Sequence, residues 1–376
     1  MACGQPDPRT SRAEWSQADC SEITADNVDD CIRMNQIQAL GTHNSYKLEP
    51  LPELIEAGNE IRPGWSENIE YGHLPIDEQL GQLGIRQVEL DIFADPEGGL
   101  FSEPAGALLV GDDEFVRPQA MLEPGFKALH VQDVDYRSNC LTFIECLTQV
   151  RDWSLANPNH LPIMVLVEMK DSELENWGDL EFTAPIPIGA DLLRDADREI
   201  WEVFERDHVI TPDDIRGGFE TLQRAMLTRG WPTLAQSRGK VFFALDNTGS
   251  HRDAYLEETP NLEGRPMFVS LEPGHSSAAF IKMNNAIDTY DRIVERVAEG
   301  YIIRTRSDIP MVEARTGDTT RVEAALTSGA QYVSTDFPDG APYHTGFQVE
   351  LPETDQPARC NPVSAPPGCR NELIRE

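Results

Sequence analysis

The sequence predicts a (β/α)8 barrel of the TIM type, with its chemistry gathered at the C-terminal ends of the strands. Three observations carry that reading. Eight short runs of β-forming residues recur, at 37–46, 84–93, 126–130, 161–170, 239–246, 266–271, 301–306 and 331–336. Helical apolar spacing lies between most of them. Each run ends in polar or charged residues, as a barrel with its site above the strand ends requires.

The elements follow in order. Residues 1–34 are polar and turn-rich, a poor core-former expected to be a strap closed by Cys20–Cys31. The run at 37–46 enters a polar loop through His43 and Asn44. At 74–80, Pro75 opens a stretch with the apolar spacing of a short helix. That helix delivers the strand at 84–93, in which Glu89 and Asp91 are two apart and so share a face. Residues 94–125 hold several Pro and Gly and form a long excursion, which in a compact domain points to a functional loop.

A third strand is expected at 126–130, ending at His130. Leu141, Ile144, Leu147, Val150 and Leu155 then recur at near-helical spacing, and Asn157-Pro158 stops that helix. The run at 161–170 is apolar until Glu168, the pattern of a parallel strand buried on both faces. A second Pro-rich excursion at 171–190 precedes an amphipathic helix at 191–205. Further helices are expected at 285–299 and 319–328. The barrel thus spans 35–340, and a Pro-rich tail, 341–376, is expected to run over the surface, closed by Cys360–Cys369.

Composition excludes several function classes. With 65 acidic against 31 basic residues the net charge is −34, so nucleic acid, whose phosphates repel such a surface, is not an expected partner. An anionic membrane is repelled too, unless a bound cation or local basic residues intervene. No apolar run is long enough to span a bilayer, so any membrane contact would be peripheral, and a monomer is expected. After Cys3 the cysteines form three close pairs with no Cys-x-x-Cys, which favours local disulfides, Cys140–Cys146 among them, over zinc. An oxidising location, secreted or periplasmic, follows. The start Met1-Ala2-Cys3-Gly4 resembles a trimmed bacterial lipoprotein, with Cys3 as the residue that would carry lipid.

His43, Glu89 with Asp91, His130, and Glu168 with Lys170 stand at the ends of the first four expected strands, so all would meet at one mouth. Asn44, Glu89, Asp91 and Glu168 offer hard oxygen ligands and no sulfur, a set for Ca²⁺ or Mg²⁺ rather than zinc or copper. Two histidines beside a hard cation suit phosphodiester chemistry, one as base and one as acid, because imidazole does both near neutrality.

The stretch Leu40-Gly41-Thr42-His43-Asn44-Ser45-Tyr46, followed by Gln79-Leu80, Gly84-Ile85-Arg86 and Glu89-Leu90-Asp91, resembles the phosphatidylinositol-specific phospholipase C family. Asn44, Glu89, Asp91 and Glu168 are similar to its calcium-dependent branch, which includes secreted bacterial members. Val167-Glu168-Met169-Lys170 is shared in style with glycerophosphodiester phosphodiesterases. The resemblance implies a calcium cofactor and a lipid or soluble phosphodiester substrate. His43 would be the base toward the inositol 2-hydroxyl, and His130 the acid for the departing diacylglycerol. It also implies phosphate binding by Lys170 or by Arg304 or Arg306. Two alternatives stay open: a glycerophosphodiester phosphodiesterase or sphingomyelinase D-like enzyme on the same barrel, and a calcium-binding surface protein without activity.

Overall fold

The computed structural model describes residues 19–376, so Cys3 and the start of the N-terminal strap lie outside the described residues. Ten strands form one sheet: β1 Ile37–Thr42, β2 Gln87–Phe93, β3 Lys127–Ala128, β4 Ile163–Lys170, β5 Val241–Leu245, β6 Met267–Val269, β7 Phe280–Lys282, β8 Ile302–Arg306, β9 Tyr332–Thr335 and β10 Ala358–Cys360. Eight of them are parallel, in the order β6-β5-β4-β2-β1-β9-β8-β7. A parallel bridge between Ser270 and Phe280 joins the two ends, so the ring nearly closes. This is a (β/α)8 barrel.

Its composition differs from expectation at one strand. Residues 126–130 do not supply a barrel strand: β3 is two residues long and runs antiparallel to β2, pairing Ala128 with Ile92 and Lys127 with Phe93. The excursion after β2 turns back on itself at the mouth, so the chain returns beside the strand it has just left. The eighth barrel strand is β7. Three residues are too few to show a period, and no helix separates it from β6, so neither usual sequence signal marks it.

β1 and β2 pair only where Gly41 meets Gln87. Gly41 is required there, since a Cβ would come within 2.1 Å of Gln87 Oε1. Below this point β10 runs antiparallel to the first half of β1, and above it β3 covers the free edge of β2. The tail is therefore no mere surface strap. Phe347, Val349, Ala358 and Ile374 are buried, and the Glu376 side chain pairs with the buried Arg86 guanidinium. Phe242, Phe268 and Tyr332 meet inside the lower barrel, leaving the upper layer to polar groups. Cys20–Cys31, Cys140–Cys146 and Cys360–Cys369 are bonded as their spacing predicts.

Away from the mouth, the Ser154 hydroxyl lies 2.5 Å from His160 Nε2 and 2.7 Å from His208 Nε2. Burial pushes His160 down to about 4 and His208 below its ordinary value. A depressed imidazole contributes stability that is complete above the unfolded value of about 6.5 and is lost as pH falls toward the folded one. Thermal unfolding should therefore show a loss approaching about 3 kcal/mol between roughly pH 6.5 and 4 from His160 alone. His160→Gln should flatten that slope; an unchanged slope would assign it to other groups.

Candidate active site

β1 ends at Thr42, and the next turn is pinned from beneath. The buried Gln79 amide accepts from Thr42 Oγ1 at 2.7 Å and donates to Ser45 O and Leu74 O, both at 2.6 Å. Asn44 takes a left-handed conformation (φ 50°), which asparagine tolerates better than most residues. His43 is held on both ring nitrogens: Nδ1 is 2.8 Å from Asp336 Oδ1, and Arg306 Nη1 lies 3.2 Å from Nε2. A carboxylate at Nδ1 keeps the proton on that nitrogen and leaves Nε2 as the acceptor. Burial and the Arg306 charge push His43 well below its ordinary value against the pull of Asp336, so it is neutral near pH 7. Burial works the other way on Asp336, yet Arg306 and His43 hold it well below the usual carboxylate range.

Beside this pair, β2 and β4 bring three carboxylates together. Their register sets Asp91 opposite Glu168, and Glu89 sits two residues earlier on the same face. One oxygen from each of Glu89, Asp91 and Glu168 lies within 4.8 Å of the others. Glu89 Oε1 is also 4.0 Å from His43 Nε2. Burial lifts Glu89 to about 7 despite Arg304, and lifts Asp91 well above its usual range despite Lys170. Lys170 Nζ is 3.2 Å from Asp91 Oδ2 and 3.7 Å from Glu168 Oε1. Two buried oxygens have no hydrogen-bond partner: Asp91 Oδ1 of the cluster itself, and Oδ1 of Asn44, whose neighbour Ser45 donates its backbone N–H to Glu89 O at 2.9 Å. Crowded carboxylates and unpartnered hard oxygens are the donor set a calcium ion takes.

The two arginines of β8 differ. Arg304 is fully buried, with its guanidinium on Ser334 Oγ at 2.8 Å, Asn284 Oδ1 at 2.7 Å and the Glu89 carboxylate. Arg306 pairs with Asp336 at 2.9 Å and Asp308 at 3.4 Å while facing His43.

His130 follows β3 rather than ending a barrel strand. Its Nδ1 lies 2.7 Å from Asp135 Oδ2, across a tight turn bridged between Val131 and Asp135. Asp135 in turn pairs at 3.2 Å with the fully buried Lys47, which also donates to Ile69 O and Tyr71 O at 2.7 Å. The Tyr46 hydroxyl is buried, and the negative charges of Asp91, Asp135 and Glu168 add to burial in raising its pKa. The His130 turn therefore shares one electrostatic environment with the carboxylate cluster.

Sequence reasoning missed Lys47, Tyr71, Asp135 and the Lys282–Asp246 ion pair. Asp135 had a usable signal, an acid five residues beyond a candidate acid–base histidine. Asp336 ends the last expected strand, and nothing in its neighbourhood in the chain marks it as the carboxylate of His43.

A family model described as phosphoinositide phospholipase C, Ca²⁺-dependent, matches residues 32–362. The chain belongs to this family. It is thus a phosphoric diester hydrolase of the phosphoinositide phospholipase C type, and Ca²⁺ is its cofactor, in keeping with the oxygen cluster on β2 and β4. Membership sets aside the glycerophosphodiesterase, sphingomyelinase D-like and non-enzymatic readings. Among solved structures, the chain is similar to the calcium-dependent phosphoinositol-specific phospholipase C of a Gram-negative Pseudomonas species, in a myoinositol complex. Identity is 15%, 94% of this chain and 99% of that one are covered, and the TM-score is 0.52. For the calcium-dependent phosphatidylinositol-specific enzyme of Streptomyces antibioticus the values are 18%, 82%, 96% and 0.51. At these identities the likeness establishes the shared fold. No curated protein matches the sequence. Among the described residues of this phospholipase, no helix is long and apolar enough to cross a membrane.

Proposed function

We propose that the chain cleaves phosphatidylinositol to diacylglycerol and a cyclic inositol phosphate by two-histidine catalysis, with Asn44, Glu89, Asp91 and Glu168 as the calcium ligands. The observation that carries this reading is His43: one nitrogen is tied to Asp336, and the other faces Arg306 with Glu89 at 4.0 Å. A neutral, oriented imidazole beside a hard-cation cluster is a general base for a hydroxyl. When bound, Ca²⁺ supplies positive charge that lowers the pKa of that hydroxyl and offsets charge on the phosphoryl oxygens.

His43 Nε2 takes the proton of the inositol 2-hydroxyl as its oxygen forms the new bond to phosphorus. The bond from phosphorus to the glycerol oxygen breaks, and His130, oriented through Nδ1 by Asp135, donates a proton to that oxygen from its other nitrogen. Arg306 and Lys170 present charge to the phosphoryl oxygens. Arg304, expected with them as a phosphate ligand, has its donors committed to protein acceptors and is better read as holding Glu89 in position.

A panel of phosphodiesters assayed with and without chelator tests the reading. Phosphatidylinositol should yield a cyclic phosphate visible by phosphorus NMR, with turnover abolished by chelator and restored by Ca²⁺. Full activity in chelator, or preferred cleavage of glycerophosphocholine or sphingomyelin, would overturn it.

A further inference from the structure

Between helix Pro52–Ile61 and helix Ile76–Gln82 the chain has no regular structure, yet its last part is fastened to the turn that follows β1. Lys47 Nζ donates to Ile69 O and Tyr71 O, both at 2.7 Å, and Lys47 O accepts from His73 N at 2.8 Å. Gly72 lets the two segments come this close, since a Cβ there would lie 2.4 Å from Glu49 N. The fastening places the buried Tyr71 side chain among the site residues.

The Tyr71 ring lies nearly parallel to the His43 imidazole, with 24° between the planes and 6.2 Å between the centroids. Lys47 Nζ stands 4.6 Å from the ring centre, and Phe337, next to Asp336, closes another side at 6.3 Å. A ring packed on several sides carries its hydroxyl to a fixed point. That point is 2.8 Å from Asn44 Nδ2 and 3.1 Å from His43 Nδ1.

Asn44 Nδ2 can only donate, and the His43 Nδ1 proton is directed at Asp336, so the phenol oxygen is the acceptor. The two neighbours differ in how far they depend on it. His43 keeps Asp336 at 2.8 Å, Arg306 beside Nε2, and His73 Nε2 on its carbonyl oxygen at 2.8 Å. Asn44 Nδ2 has no other acceptor among the described residues, and Asn44 Oδ1 has no donor. A carboxamide is planar, so fixing its nitrogen also aims its oxygen. Donation from that nitrogen makes the oxygen a stronger ligand.

We infer that Tyr71 is a positioning residue of the calcium site: its hydroxyl holds the Asn44 amide nitrogen so that Oδ1 is presented to the cation. This rests on the reading of Asn44 as a calcium ligand and adds to it what orients that ligand.

Isothermal titration of the full chain with Ca²⁺, without substrate, tests the inference on Tyr71→Phe, which keeps the ring and deletes only the hydroxyl. Affinity for Ca²⁺ should fall about 10–100-fold, the usual cost of removing a hydrogen-bond partner of a metal ligand. Asn44→Ala should weaken binding too, and adding Tyr71→Phe to it should cost little more, because the hydroxyl then has no ligand to orient. Excess Ca²⁺ should restore kcat of Tyr71→Phe on a soluble nitrophenyl inositol phosphodiester, since Asp336 still holds His43. Unchanged affinity in Tyr71→Phe would overturn the inference. So would equal losses from Tyr71→Phe in both backgrounds, the mark of a packing role. A kcat deficit that excess calcium does not lift would overturn it as well, by making His43 the group the hydroxyl serves. Melting in chelator reports whether each variant folds, and a Tyr71→Phe chain that does not would make the hydroxyl part of the fold, against the inference. Unchanged affinity in Asn44→Ala alone would sink the ligand reading, and the inference with it.

Discussion

Asp91→Asn is expected to make the cation-free protein no less stable, and to cost roughly 10²–10³-fold in kcat, the scale of losing one preorganised electrostatic group at a reacting centre. Both signs follow from the same burial. Asp91 is 1% exposed, sits opposite Glu168 in the sheet register, and has its pKa lifted well above the usual range. A carboxyl whose folded value lies above its unfolded one opposes folding at every pH above the unfolded value. Asparagine has nearly the same shape without the charge, so it relieves repulsion from Glu89 and Glu168, although Lys170 loses its 3.2 Å partner. Calorimetry in chelator should give a melting temperature at or above that of the unsubstituted protein. On adding Ca²⁺ the unsubstituted protein should gain stability by mass action, and the variant should gain little. A variant that loses stability in chelator yet responds to calcium normally would show that Asp91 is a structural partner of Lys170 and not a ligand.

His43→Ala and His130→Ala are expected to part company on a substrate with a good leaving group. Removing a positioned acid or base costs about 10²–10⁴-fold. Activation of the attacking hydroxyl is needed whatever departs, so His43→Ala should lose that much on every substrate. A nitrophenolate departs without a proton, so His130→Ala should lose far less on the nitrophenyl ester than on phosphatidylinositol. The surroundings of the two rings support the division. His43 stands between Asp336 and Arg306 beside the carboxylate cluster, whereas His130 is oriented by Asp135 on a separate turn. Equal losses on the nitrophenyl substrate would mean that the roles are misassigned and that His130 stabilises the phosphorane.

Stability has been given up to assemble this site. Glu89, Asp91, Asp308 and Asp336 are almost fully buried within one mouth. Arg304, Arg306 and Lys170 offset their charges only in part, since Glu89 and Asp308 are each lifted to about 7 by burial and neighbouring acids. The barrel can carry that cost because its lower half is filled by apolar side chains such as Phe242 and Phe268.

The barrel, the disulfide pairs and the first ring of site candidates were legible in the sequence because each leaves a local trace. An apolar run closing on Glu168, a Glu89-x-Asp91 pair on one strand face, and cysteines few residues apart are properties of neighbours in the chain. What only the tertiary structure decided is how distant segments meet. The sequence alone made 126–130 a barrel strand, whereas β3 is an antiparallel scrap on β2, and the three residues of β7 close the ring instead. Asp336 reaches His43 from 293 positions away, and Lys47 reaches Asp135 from the other side of the β1–β2 seam. Arg304 and Arg306 share a strand face and look equivalent in sequence, but burial commits one to Glu89 and turns the other to His43. Strand period and residue chemistry are local quantities, read from a few adjacent positions. Which buried charge finds which partner depends on register around a closed sheet, where a shift of one residue turns every side chain to the opposite face.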